Sequence, residues 1–155
     1  MRMIDVGAKP RTERVAVARG FVAMAPATVA RIRRGEVEKG DVLAAARLAG
    51  ILAAKRTPEL VPLCHPVALS SIEVEAVPGP GGVEVTATVR TVDRTGVEME
   101  ALAAVSAGCL TVYDMLKRYE RGMRIEAVEL LHKSGGRTGD YTRAGAARPA
   151  RRRAR

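Results

Sequence analysis

The order of elements predicts an α+β fold: a ferredoxin-like sandwich whose antiparallel sheet carries helices packed on one face. Three observations predict it. Apolar and polar residues alternate over residues 14–24, 71–77, 82–92 and 123–133, which is strand periodicity. Apolar residues recur at helical spacing over residues 42–56 and 97–121. The resulting order is strand, helices, strand, strand, helix, strand, the split βαβ arrangement.

Each element has a local cause. RVAVARGFVAM (14–24) is the first strand. Pro26 suits a first helical turn, so a short helix follows over 27–34. Asp41 can cap the next helix, VLAAARLAGILAAKR, in which Val42, Leu43, Ala46, Ala49, Leu52 and Ala53 share a face. Its alanines and Gly50 suit close packing, including against another subunit. Pro58 disfavours helix at the residue before it, so this helix stops near Thr57. SIEVEAV and GVEVTATVRTV, joined by Pro78-Gly79-Pro80-Gly81, form a hairpin. Gly96 and Gly122 bracket the long helix, and residues 123–133 supply the last strand before a glycine-rich loop, KSGGRTGDYTR.

Composition narrows the class. With 155 residues and 47% apolar content there is enough chain for one core; at 3% aromatic and no Trp, Val, Leu, Ile and Ala must fill it. No run of 18 apolar residues suggests a membrane span, and MRMIDVGAKPRTER has charges where a signal peptide needs an apolar stretch. A cytoplasmic protein is expected. Two cysteines, Cys64 and Cys109, make no disulfide framework and no Cys-x-x-Cys zinc motif. The net charge of +9 is uneven: six arginines lie beyond residue 142, and without them 20 basic and 17 acidic residues leave +3. We therefore expect one catalytic domain over 1–143 and a disordered Arg-rich tail over 144–155, solubilising or loosely anion-binding.

Chemistry-bearing residues gather at element ends. Asp114 and Lys117 lie three apart on one helix face, in a segment otherwise apolar from Ala101 to Leu116. They can trade protons with a substrate or form a surface ion pair. Glu98 and Glu100 flank Met99 where the helix dipole favours acids; a carboxylate there can also bind guanidine-like ring nitrogens. Lys39, Lys55, Lys133, Arg14 and Arg137 sit at element ends near glycine-rich backbone, a pattern able to cradle a polyanion. LVPLCHPVALS places Cys64 beside His65 between Pro62 and Pro66. Adjacent residues are poor geometry for a Cys–His catalytic pair, whose members normally meet from distant positions. A pocket wall with a usable imidazole is the better reading, and spacing alone does not name its ligand.

Four segments carry a resemblance. MIDVGAKPRTERVAVARG, KGDVLAAARLAGILAAKRTPELVPLCHP, GVEMEALAAVSAGCLTVYDMLK and KSGGRTGD, in this order, resemble the molybdenum cofactor biosynthesis protein C family, the cyclic pyranopterin monophosphate synthases, over residues 3 to about 143. The resemblance implies a lyase-type reaction on a nucleotide-derived small molecule. Rearrangement of 3′,8-cyclo-7,8-dihydroguanosine triphosphate gives a pyranopterin with a cyclic phosphate and releases pyrophosphate. It implies the ferredoxin-like fold and a homohexamer, a trimer of dimers, with active sites between subunits. No cofactor is required on this reading, no protein metal site is implied, and magnesium can ride on the triphosphate. By motif, Asp114 is the catalytic acid/base, with Lys117 and Lys39 beside it. Leu63, Cys64, His65, Met99 and Glu100 contact substrate, and Lys55, Lys133, Arg14 and His132 fit triphosphate binding or proton transfer. Arg137 and Thr138 stand where the family often has Lys and Ser, and Gly108 and Cys109 replace small apolar residues.

Two other classes compete. A nucleic-acid module would use the basic tail, but the strands lack aromatics on which bases stack. A scaffold for other enzymes would be indifferent to Asp114→Asn.

Overall fold

The first strand becomes the centre of the sheet because both its edges find partners. A computed structural model describes residues 1–146. β1 (Thr12–Ala23) leads through α1 (Pro26–Arg34), α2 (Val42–Lys55) and the single turn α3 (Thr57–Leu60) to β2 (Leu69–Gly79) and β3 (Gly82–Asp93). The long α4 (Glu98–Leu116), β4 (Arg124–Ser134) and a two-residue β5 (Tyr141–Thr142) complete the chain. Strand order is β2-β3-β1-β4-β5, antiparallel throughout, so Ala18 of β1 faces Ala87 on one side and Leu130 on the other. The first four strands reproduce the ferredoxin-like order, and α2 and α4 lie together on one face.

Strand alternation decides what those helices cover. Ala16, Ala18 and Val22 of β1 and Val83, Val85, Ala87 and Val89 of β3 are all fully buried. Against them pack Ala101, Ala104, Val105, Cys109, Val112 and Leu116 of α4. Small residues set the spacing. A side chain at Gly50 would come within 3.0 Å of the Ala104 carbonyl, and one at Gly108 within 2.8 Å of Val85 Cγ1. The helices therefore lie close to each other and to the sheet. Truncating Leu116, fully buried at the foot of α4, would cost about 2–5 kcal/mol.

By length and composition α4 is apolar enough to cross a membrane, with mean hydropathy 1.3. Half of that stretch is buried inside the protein, against the sheet and α2.

One helix end and two short elements differ most from the sequence reading. The long helix stops at Leu116 rather than near residue 121. Tyr119 and Glu120 are drawn instead to the α1 side, where the Glu120 carboxylate accepts from Ala25 N (3.0 Å) and Thr28 Oγ1 (2.6 Å). Tertiary bonds thus override helix propensity. The segment after α2 closes a further turn, α3, with Pro58 in its first turn. The glycine-rich loop contains β5, which pairs Thr142 with His132. The expected disorder beyond residue 146 lies outside the described residues.

Candidate active site

Asp114 is the point where two distant segments converge. It sits in the last turn of α4, and Lys117 directly follows that helix. Lys117 Nζ lies 2.8 Å from Asp114 Oδ1 and Lys39 Nζ lies 2.5 Å from Oδ2, with a second Lys39 contact to the Asp114 carbonyl at 3.2 Å. All three side chains remain about half exposed. The hydrogen bonds from Lys117 and then Lys39 hold the Asp114 carboxyl down at about 2. A carboxylate so stabilised is a weak base at neutral pH. Through its two oxygens it brings the Lys39 and Lys117 side chains to one place.

The opposite end of α4 is built differently. Glu100 lies in the first turn and is 2% exposed. Its Oε1 is 3.7 Å from Cys64 Sγ, and its Oε2 is buried without a partner. Burial pushes the Glu100 carboxyl up. Burial, and then the Glu100 charge, push the Cys64 thiol up to about 11. Cys64 is therefore a thiol at neutral pH and no nucleophile. The proline-flanked loop is fastened to α4 through this contact, with Leu63 (47% exposed) and Met99 (39% exposed) on the surface nearby in sequence.

A third group of residues forms a cationic groove of about 460 Å³ where β1 begins and β3 and β4 end. Arg14 and Lys133 line it, as the sequence suggested, together with Arg137 and Thr138 of the glycine-rich loop. Lys133 Nζ donates to Thr138 Oγ1 at 2.5 Å. Gly136 has φ 84°, and a side chain there would strike the Arg14 guanidinium, so the loop closes on the arginine only with glycine. Lys9 and Arg94 also line the groove, with Glu98 at its rim. Lys9 and Arg94 were not singled out from the sequence, although AKP and DRTG are basic residues beside Pro or Gly at element ends.

Not every candidate joins these three groups. Strand alternation turns His132 away from Lys133: it is 4% exposed and its Nδ1 lies 2.9 Å from Thr142 Oγ1, fastening β5. Lys55 lines a separate cleft with Ser70 and Ser71 at the β2 edge. His65 is partly buried beside Cys64. Asp114 and Glu100, fourteen residues apart on one helix, stand about 21 Å apart along its axis. Among the described residues no cluster of three or more His, Cys, Asp or Glu could hold a metal ion.

The sequence model of the MoaC family matches residues 3–136. The chain belongs to the MoaC family. All three groups of this MoaC-family chain fall within the match, except Arg137 and Thr138 just beyond it. It is similar to the cyclic pyranopterin monophosphate synthase of Methylobacterium sp. (strain 4-46), 57% identical over 141 residues that span 90% of this chain and 88% of that one. The protein of the same name from Thermomicrobium roseum is 56% identical over 92% of this chain and 87% of its own. That from Roseiflexus sp. (strain RS-1) is 57% identical over 90% of each.

Proposed function

We propose that this chain is a cyclic pyranopterin monophosphate synthase of molybdenum cofactor biosynthesis. It converts (8S)-3′,8-cyclo-7,8-dihydroguanosine 5′-triphosphate to cyclic pyranopterin monophosphate and releases pyrophosphate. The observation that carries this is identity of 56–57% over nine-tenths of the chain with relatives that bear this name.

The geometry supports a division of labour. The groove lined by Arg14, Lys133 and Arg137 suits the triphosphate, because charged donors and glycine backbone can surround its oxygens. Expelling pyrophosphate builds negative charge on leaving oxygens, which clustered cations stabilise. Opening the purine ring and closing the pyran require proton transfers, and on this reading the group of Asp114, Lys117 and Lys39 supplies them. Any magnesium the reaction uses would arrive on the triphosphate.

The separation along α4 bears on assembly. Within one protomer the Lys39–Asp114–Lys117 group and the Glu100 end are too far apart to grip one reacting ring. We place the working site between two copies, in a homohexamer built as a trimer of dimers in the cytoplasm, where the lysines of one copy meet the loop and groove of another. Leu48 and Leu52 of α2 and Leu110 of α4 support this, being 59%, 45% and 60% exposed on the uncovered helix faces.

The test is direct. Purified protein is incubated with the cyclised triphosphate while pyrophosphate and pterin are followed. Product from the wild type and none from Lys117→Ala is expected. No product from folded wild type, with substrate intact, would overturn the reading.

A further inference from the structure

Lys39 does not stand on a regular element. It rides on the loop between α1 and α2, which turns at Gly35 (φ 69°) and Gly40 (φ 98°). Without restraint, such a loop would leave its ammonium free to wander from Asp114. The restraint comes from the residues immediately after Lys117. The Glu38 backbone N–H donates to Tyr119 Oη at 3.0 Å, one residue before Lys39. The Glu38 carboxylate pairs with Arg118. The Arg31 guanidinium lies 4.4 Å from the Tyr119 ring centroid and also donates to the Glu36 carbonyl at 3.1 Å. Glu120 reaches the N-terminus of α1 and ties the base of the same unit. Arg118, Tyr119 and Glu120 thus form a clasp between α4 and the Lys39 loop.

We propose that Tyr119 is a positioning residue, whose hydroxyl fixes the Lys39 loop so that Lys39 meets Asp114 beside Lys117. The inference rests on the reading of Lys39 as a working lysine. The two members of the clasp that reach Glu38 differ in weight. The Arg118–Glu38 pair is exposed on both sides, and such pairs are weak. Tyr119 is the anchor, because its ring is held by Arg31 while its hydroxyl meets backbone, which cannot swing away as a side chain can.

Tyr119→Phe isolates the hydroxyl, since the ring and its Arg31 contact remain. Turnover should fall by about 10-fold with KM within about twofold, as expected when a reacting group is displaced and binding is not. A second readout does not depend on activity: acetylation of each lysine by a small anhydride, followed by mass spectrometry. An ammonium held in an ion pair must leave it to react, so Lys39 should label about threefold or more faster in Tyr119→Phe, with Lys55 and Lys133 unchanged. Wild-type turnover together with wild-type Lys39 labelling would overturn the proposal. Faster labelling of all lysines together would also overturn it, by showing general loosening. If the wild type makes no product at all, the functional reading fails, and the labelling comparison still decides the clasp.

Discussion

The two ends of α4 carry the same functional group in opposite states. Asp114 is exposed and holds two lysines; Glu100 is buried and has one oxygen with no partner. The first is held well below the usual carboxylate range by its partners, the second above it by desolvation. One helix therefore carries, at its last turn, a carboxyl pushed down by its partners and, at its first, one pushed up by burial. The comparison teaches that surroundings, not residue type, assign the role.

The sharpest way to break this contrast is Asp114→Asn. Two ammonium groups would then face each other without their anion. Turnover should fall about 100-fold or more, while the melting temperature moves only a few degrees because the pairs are exposed. Unchanged kinetics would show that the cluster is surface decoration.

Glu100 tests the other side through stability. Glu100→Gln keeps the shape of the side chain and should melt nearer to the wild type than Glu100→Ala. Glu100→Ala leaves a void beneath the Cys64 loop and should cost about 1–3 kcal/mol by chemical denaturation. Equal losses in both variants would show that filling the space is not what this side chain contributes.

The pH dependences should have opposite signs. Asp114 has its folded value below its unfolded one. Its contribution is present above about 4 and is lost as pH falls toward about 2. Glu100 has its folded value raised above 4.5, so its contribution is fully present below 4.5 and is lost as pH rises from there through the folded value. Denaturation at several pH values should show the wild type losing ground to Glu100→Gln as pH rises, by at most about 1.4 kcal/mol per pH unit. Against Asp114→Asn it should lose ground as pH falls.

The smallest effect belongs to Cys64. With its thiol pushed up to about 11, iodoacetamide at pH 8 should modify it more slowly than a free thiol. Cys64→Ser should keep turnover within about threefold. Rapid alkylation would contradict the Glu100 contact.

What could be read from the chain follows sequence distance. The Asp41 cap and the Asp114–Lys117 pair span three residues and were legible, since helix geometry fixes them. So were the hairpin and the strand order, which follow from periodicity. The Lys39–Asp114 contact spans 75 residues and Cys64–Glu100 spans 36. No local rule predicts such pairs: both depend on packing, and only the family resemblance grouped their members. The end of α4 is not legible locally, because helix-favouring Lys117, Arg118 and Glu120 run on past it, while the bonds that turn the chain aside come from Glu38, Ala25 and Thr28. His132 and Lys133 looked equivalent as neighbours, yet strand alternation sends them to different surroundings.

The clasp also makes the protein its own optical probe. The chain has no Trp and three Tyr. Two of these flank the lysine cluster: Tyr119 against Arg31, and Tyr113, whose hydroxyl donates to the Arg121 carbonyl at 2.9 Å. Ultraviolet emission from the unlabelled protein thus originates largely beside Asp114, and a purine-derived ligand arriving there would dim it without any attached dye.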